Sequence, residues 1–397
     1  MHSQTVSRWI PCSLGILLGA IALPSSAHHG ISNWDQNKDV KITGVLSKFE
    51  MINPHSYIYV DVKGADGKVV TWGCEMRAAG VLLRSGWTRD MFKIGSTITV
   101  TGSPERRKPN LCYLGTITFA DGTQMDRYAQ RQVPASQAVS TARTARAART
   151  AQGVPNLAGD WAAEQRVMTD PRGQSGAFLP LSQARKLAPG EVPEGQRAFP
   201  GARGTPESLA KDPIKAAATR PPVVALSAAG ERAREKFNGA TRDNPRYRCE
   251  PTNILFDWTF DTMVNRIVQA PERITLQYGF MDLTRTIHLD VKQHPANLRP
   301  SVAGHSIGHW EGDVLVVDTT GFAPGVLSAE ASTLHSNQLH VVERFALDPE
   351  KQTITRSFVA TDPLYFAGEY KGTDTMYPAE TPYSRYACKD VGGAPGQ

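Results

Sequence analysis

Val264-Asn265-Arg266-Ile267-Val268-Gln269-Ala270-Pro271-Glu272-Arg273-Ile274-Thr275-Leu276-Gln277-Tyr278 is the stretch on which the reading of the chain turns. Two runs rich in β-branched and aromatic residues flank Ala270-Pro271-Glu272. Proline fixes its own φ and has no N–H for a ladder, so it marks a turn between two strands. The same signal recurs at short, regular distances. Leu283 to Val291 is a further strand. Gly308 to Trp310 pairs with Val314 to Thr319 across Glu311-Gly312-Asp313, and Leu339 to Leu347 pairs with Gln352 to Thr361 across Asp348-Pro349-Glu350. This is an antiparallel meander. Seven or eight such strands close most economically into a calycin-like barrel, because closure removes sticky edges; an open sandwich is the rival.

Composition agrees. With 40% hydrophobic and 21% charged residues, the 397-residue chain is not a disordered one. Its 34 Gly and 27 Pro disfavour long helices, so the fold class is mainly β. The length suits two or three units. Residues 28–128 read as a small unit: strands at Val40 to Glu50, His55 to Val62 and Val69 to Glu75, a helix at Ala78 to Ser85, then strands at Gly95 to Gly102 and Leu114 to Phe119. Three strands, a helix and two strands is the element order of a five-stranded OB-like barrel. Residues 129–155 form an Ala/Arg/Thr-rich linker, whose basic tract offers at most weak contact with an anionic surface. Residues 156–397 form the larger barrel, with an irregular insertion over 165–244 holding short helices at Leu181 to Leu187 and Ala228 to Phe237. Gly159-x-Trp161 at its entrance resembles the Gly-x-Trp of lipocalin-like barrels.

The first 27 residues read as a signal peptide: Arg8, an apolar run from Trp9 to Leu23, and small residues up to Ala27. The expected location is therefore periplasmic or secreted, with no transmembrane span after cleavage. Losing Arg8 lowers the net charge from +6 to +5, too mild for a nucleic-acid footprint. Cys74, Cys112, Cys249 and Cys388 then enter an oxidising compartment as an even set. Three pairings exist. The domain division favours Cys74 with Cys112 and Cys249 with Cys388.

Cleavage after Ala27 leaves His28 with a free α-amine, which can chelate a metal together with its own ring. A third nitrogen from His29 or His55 would complete the planar arrangement that copper prefers. At ~3.3 Å per extended residue, the arm from residue 28 to 39 is long enough to reach His55. The competing reading is a frayed tail.

Six histidines lie between positions 288 and 340. Strand alternation puts His288 on the face opposite Arg285, and His340 opposite Glu343. Arg285 and Glu343 thus fall among inward apolar residues, where each charge needs a partner, and they are expected to meet. Gly304-His305-Ser306-Ile307-Gly308 has the G-x-S-x-G form of serine hydrolases, with Asp318 and then His335 or His340 downstream. Residues 308 to 313 read as a strand and tight turn rather than a helix, so the hydrolase context is missing.

His28-His29-Gly30, Gly44, Asn53-Pro54-His55, Trp72 and Arg84-Ser85-Gly86-Trp87 in the small unit carry a resemblance. So do Arg285-Thr286-Ile287-His288, His294-Pro295, Pro300-Ser301, Gly304-His305-Ser306-Ile307-Gly308, Trp310-Glu311-Gly312-Asp313, Gly321-Phe322 and His340-Val341-Val342-Glu343-Arg344-Phe345 in the larger one. The chain resembles a family of secreted bacterial proteins of unknown function whose mature start is His-His-Gly or His-His-Ser. His309 stands where that resemblance leads one to expect Arg. The resemblance implies export and membership, and brings no catalytic role. The expectation is a protein that binds a small organic ligand in its larger barrel and copper at its N-terminus. The alternative is an enzyme using Arg285, His288, His305, His340 and Glu343, with Ser306 as a less favoured nucleophile, for acid-base or metal-assisted chemistry.

Overall fold

The computed structural model describes residues 34–35, 38–127, 147–168, 178–180, 183, 221–239, 243–329 and 331–388. The expected signal peptide, His28, His29, most of the basic tract and most of the insertion, including the helix expected at Leu181 to Leu187, lie outside these residues.

The small barrel is built from β1 (Val40–Glu50), β2 (Tyr57–Lys63), β3 (Val69–Glu75), α1 (Ala79–Arg84), β4 (Thr97–Pro104) and β5 (Leu111–Thr118), with a short β6 (Gln124–Asp126) added to the edge of β5. β1 is shared between two neighbours. Its first half, Val40 to Val45, pairs with β4, and its second half, Val45 to Glu50, pairs with β2. The strand bends where it changes partner, through a register shift between Leu46 and Lys48. Gly44 sits at that crossing, where a Cβ would lie 2.3 Å from the Asp61 carbonyl oxygen. Parallel pairing of β3 with β5 closes the five strands into a barrel. The Cys74–Cys112 disulfide joins two residues directly opposite each other on that closing seam. Leu82 of α1 and Trp87 just after it are buried among Leu46, Ile58, Val100 and Leu114, so the helix plugs the barrel as its position between β3 and β4 predicts.

The larger unit contains β7 (Gly159–Ala163), β8 (Arg166–Met168), β9 (Phe178–Pro180), α2 (Ala228–Lys236), α3 (Phe256–Thr259), β10 (Val264–Gln269), β11 (Arg273–Gln277), β12 (Thr284–His288), β13 (His305–Glu311), β14 (Val314–Thr320), β15 (Gly325–Ser328), β16 (Thr333–His335), β17 (His340–Asp348), β18 (Thr353–Thr361) and β19 (Tyr370–Pro378). Nine of these strands close a barrel in the order β10-β11-β12-β13-β14-β17-β18-β19-β7, with β7 returning to β10. An odd ring corrects the expectation of an all-antiparallel meander. Strand direction cannot alternate all the way round nine members, so one neighbouring pair must run parallel. That pair is β12 and β13. A parallel pair cannot be joined by a tight turn; here residues 289–304 cross over. The odd count also departs from an eight-stranded lipocalin-like ring.

The ring is filled by Trp161, Ile274, Ile287, Val317, Val341, Phe345 and Ile354, while Trp258 of α3 packs edge-on to Tyr278 and Phe345. Residues 147–155, expected to be linker, dock on this barrel instead. Arg149 forms a two-pronged ion pair with Asp313 at 3.0 and 2.7 Å, and bridges back to Pro155. The barrels touch through Ala78, Val81, Met263, Phe280, Met281 and Tyr386. Arg84 donates to the carbonyl of Thr262 and to Glu380, and Asn53 donates to the carbonyl of Tyr386. Cys249–Cys388 ties the C-terminal segment to this junction.

Candidate functional site

The sheet sorts the expected site residues onto two sides of one wall. Arg285, Ser306 and Glu343 point inward, whereas His288, His305 and His340 occupy the opposite parity and point outward. The separation follows the strand alternation expected from the sequence, and the alternative of one cluster joining Arg285 and Glu343 to the histidines is corrected, because a β-strand cannot send neighbouring odd and even residues to the same face.

Inside, Arg285 Nη2 lies 2.5 Å from Glu343 Oε2, the expected pairing. Glu343 also accepts from Arg356, which donates in turn to Asp374 and to the carbonyls of Ile254 and Leu255. Two guanidiniums face two carboxylates. Burial is the strongest single influence on Arg285 and opposes its charge, but the Glu343 carboxylate and Tyr278 together outweigh it and hold the guanidinium pKa up. Arg285 also donates to the hydroxyls of Ser306 and Thr319, each at 2.8 Å. Ser306 is 1% exposed, lies within β13 and has no helix after it, so its hydroxyl serves the ion-pair network and not an elbow.

Outside, the parallel seam builds a different constellation. Asp318 on β14 stands opposite Ile307 of β13 and Val342 of β17. His305 and His340 are each two residues from those partners, the diagonal neighbours on one face. The crossover between β12 and β13 then carries His294 into the group. His340 Nε2 is 3.0 Å from Asp318, His294 Nε2 is 3.0 Å from Asp318 Oδ1, and His294 Nδ1 is 2.8 Å from His305 Nδ1. The His288 ring stacks on His305 at 5.2 Å and 14°. His288 also lines a groove of about 480 Å³ with Glu272, Arg273, Thr275, Thr286 and Asp290.

With the imidazoles neutral and Asp318 ionised, these contacts admit one proton arrangement. As a carboxylate Asp318 only accepts, so His294 and His340 each donate Nε2–H to it. A neutral His294 then offers a lone pair at Nδ1, which His305 fills with its Nδ1–H. His305 is left with a lone pair on Nε2. Burial, followed by the neighbouring His294 and His288, pulls the His305 pKa below the ordinary histidine value, so at neutral pH this ring is an uncharged base. His309 points elsewhere, bonded to Glu311 at 3.1 Å.

In the small barrel, His55 Nδ1 is 3.4 Å from Glu75. Glu75 also accepts from Tyr57, and burial followed by Glu75 raises the Tyr57 pKa. Arg127 pairs with Glu75 and lies over the Tyr113 ring, against which Trp34 packs at 5.8 Å. Trp34 is further pinned by a bridge to Glu105. The arm is therefore anchored six residues after His28, on the side of the barrel that carries His55.

Sequence reasoning did not assign His294 or Asp318 to this site, nor Arg356 and Asp374 to the inner network. The outward parity of Asp318 between two histidine-bearing strands was readable. The position of His294 was not, since it depends on the seam.

No curated protein and no solved structure matches the chain. Residues 17–111, which reach the first residue of β5 and include His28, His29 and His55, match the model of a family of unknown function, DUF6152.

Proposed function

We propose that this is an exported protein, periplasmic or secreted, that binds a small polar organic molecule in the groove on the outer wall of its larger barrel and acts on it by acid-base chemistry. His305 is the base, His294 and Asp318 orient it, and His288 joins the relay to the groove. The observation that carries this reading is the unbroken hydrogen-bonded series from His340 through Asp318 and His294 to His305. Such a series sets the tautomer of its terminal ring and leaves a lone pair facing outward. The described interior holds packed apolar side chains and charges paired with one another, which favours the outer groove over the inside of the barrel as the ligand's place. We extend the family resemblance through the larger barrel on the residues shared there.

The test uses p-nitrophenyl acetate, a general probe of an activated imidazole. Turnover should disappear in His305→Ala, persist in Ser306→Ala, and follow a pH profile with its inflection below about 6.5. Turnover that survives His305→Ala sinks the reading.

A second reading is favoured by the Trp34 anchor: copper held by the α-amine and ring of His28 with His55 or His29. Six residues at ~3.3 Å each reach about 20 Å, enough to return along the barrel side that Trp34 and His55 share. Intact mass and metal analysis of natively exported protein decide it. A chain that starts at His28 and takes up no copper at equimolar supply refutes it.

A further inference from the structure

We infer that His294, Asp318 and His340 form a binding site for a divalent first-row metal ion, with open coordination positions facing solvent; this rests on reading the outer wall as the functional site. Two imidazole nitrogens and a carboxylate are a donor set with good affinity for such ions, and one that leaves positions free for water or substrate. The spacing fits. At bond lengths of about 2.1 Å, neighbouring ligand atoms lie about 3.0 Å apart at 90° and about 3.4 Å apart at the tetrahedral angle. Both His294 Nε2 and His340 Nε2 stand 3.0 Å from Asp318 Oδ1. Among the described residues no group of three such side chains is already placed to hold an ion, so the two rings must rotate toward a common point as the ion takes the place of the two Nε2 protons, each of which shifts to its own ring's Nδ1. The half-exposed Asp318 and His340 leave room for that movement.

The rest of the relay supplies what a metal-bound histidine needs. A ligating imidazole usually gives its other N–H to a partner, which fixes the ring. When the ion takes His294 Nε2, the proton of that ring moves to Nδ1 and is donated to His305 Nδ1. The His305 proton then moves to Nε2. No net proton is lost on this path; the series reverses. His305 changes from a ring with an outward lone pair to one with an outward N–H, so the metal converts the base into a hydrogen-bond donor.

The experiment uses the full, metal-stripped chain with zinc as the probe. Calorimetry should give one equivalent bound to the wild type. That equivalent should be lost in His294→Ala, His340→Ala and Asp318→Ala, and kept in His309→Ala and His55→Ala. His305→Ala should bind about 10- to 100-fold more weakly, as for loss of an outer-shell partner. Nitrogen NMR of the wild type provides a readout that needs no variant: His305 should carry its proton on Nδ1 without zinc and on Nε2 with it. A zinc-free His305 protonated on Nε2 refutes the relay itself. A correct zinc-free tautomer with no zinc uptake, or with zinc uptake unaffected by the three ligand variants, overturns the metal site alone.

Discussion

Replacing Glu343 with Gln keeps the volume of the side chain and removes one charge from the interior of the larger barrel. In the native protein Glu343 lies between Arg285 and Arg356, and Arg356 also holds Asp374. All but Asp374 are at most 1% exposed, so water cannot take over the lost partner. The variant leaves two guanidiniums facing one carboxylate. Breaking a buried pair in this way costs about 3–5 kcal/mol, a large part of a total stability of about 5–15 kcal/mol. For a unit of this size that lowers Tm by about 6–20 °C. Arg285→Met alone should cost a similar amount, since it strands the opposite charge and also frees the Ser306 and Thr319 hydroxyls. The double variant Arg285→Met/Glu343→Gln restores neutrality, so its cost should fall short of the sum of the singles by at least ~2 kcal/mol. Urea unfolding with both disulfides intact, followed by near-ultraviolet circular dichroism, measures each corner of the cycle. A Glu343→Gln cost under ~1 kcal/mol, or simple additivity in the cycle, would refute the claim that these charges depend on one another.

Opening Cys74–Cys112 by a double Ala substitution frees a loop of 38 residues at the closing seam of the small barrel. Its chain-entropy cost is about 4 kcal/mol, and it should appear as an earlier thermal transition of that barrel. Burial holds the His335 pKa below its ordinary value of 6.5, so the unfolded chain takes up its proton first. The contribution of His335 is therefore complete above about pH 6.5 and is lost as pH falls from there through the depressed folded value; His335→Gln should flatten that decline in denaturation curves. Asp257 runs the other way. Burial pushes its pKa up to about 7, so stability should fall as pH rises from about 4 to 7, and Asp257→Asn should remove that slope. Ala in place of Gly44 drives a methyl group into the Asp61 carbonyl and should cost about 1–3 kcal/mol, read by urea midpoint.

The small barrel was legible almost element by element because its strands alternate, its turns carry Gly or Asp-Gly, and one α-helix interrupts the pattern between β3 and β4. The two disulfides followed from the same division. The larger barrel was legible as a closed β structure, but β7 and β19 carry no strand signal of their own. Inward positions of β19 are occupied by Gly372, which leaves space for the Phe358 ring, and by Asp374, which pairs with Arg356. Neither shows as apolar alternation. The parallel seam was hidden for a different reason: residues 289–304 carry the Pro and Asn signals of any loop, and only the full strand count shows that one pair must break the alternation. Parity did separate the inner charges from the outer histidines. What no local pattern could supply was the meeting of His294 with Asp318, since it is made by the crossover and not by a strand.

The ring of the larger barrel closes between β7 and β19, near opposite ends of a stretch about 200 residues long. During synthesis from the N-terminus, β7 has no neighbour on one side until β10 is made and none on the other until the last strand is complete. The small barrel has by then all its strands and can finish folding alone. The late partner is costly in loop entropy and slow to arrive, so the larger barrel spends its assembly with two open strand edges. Closure of the ring thus waits for β19, and the interval before it docks is when exposed strand edges are most open to aggregation.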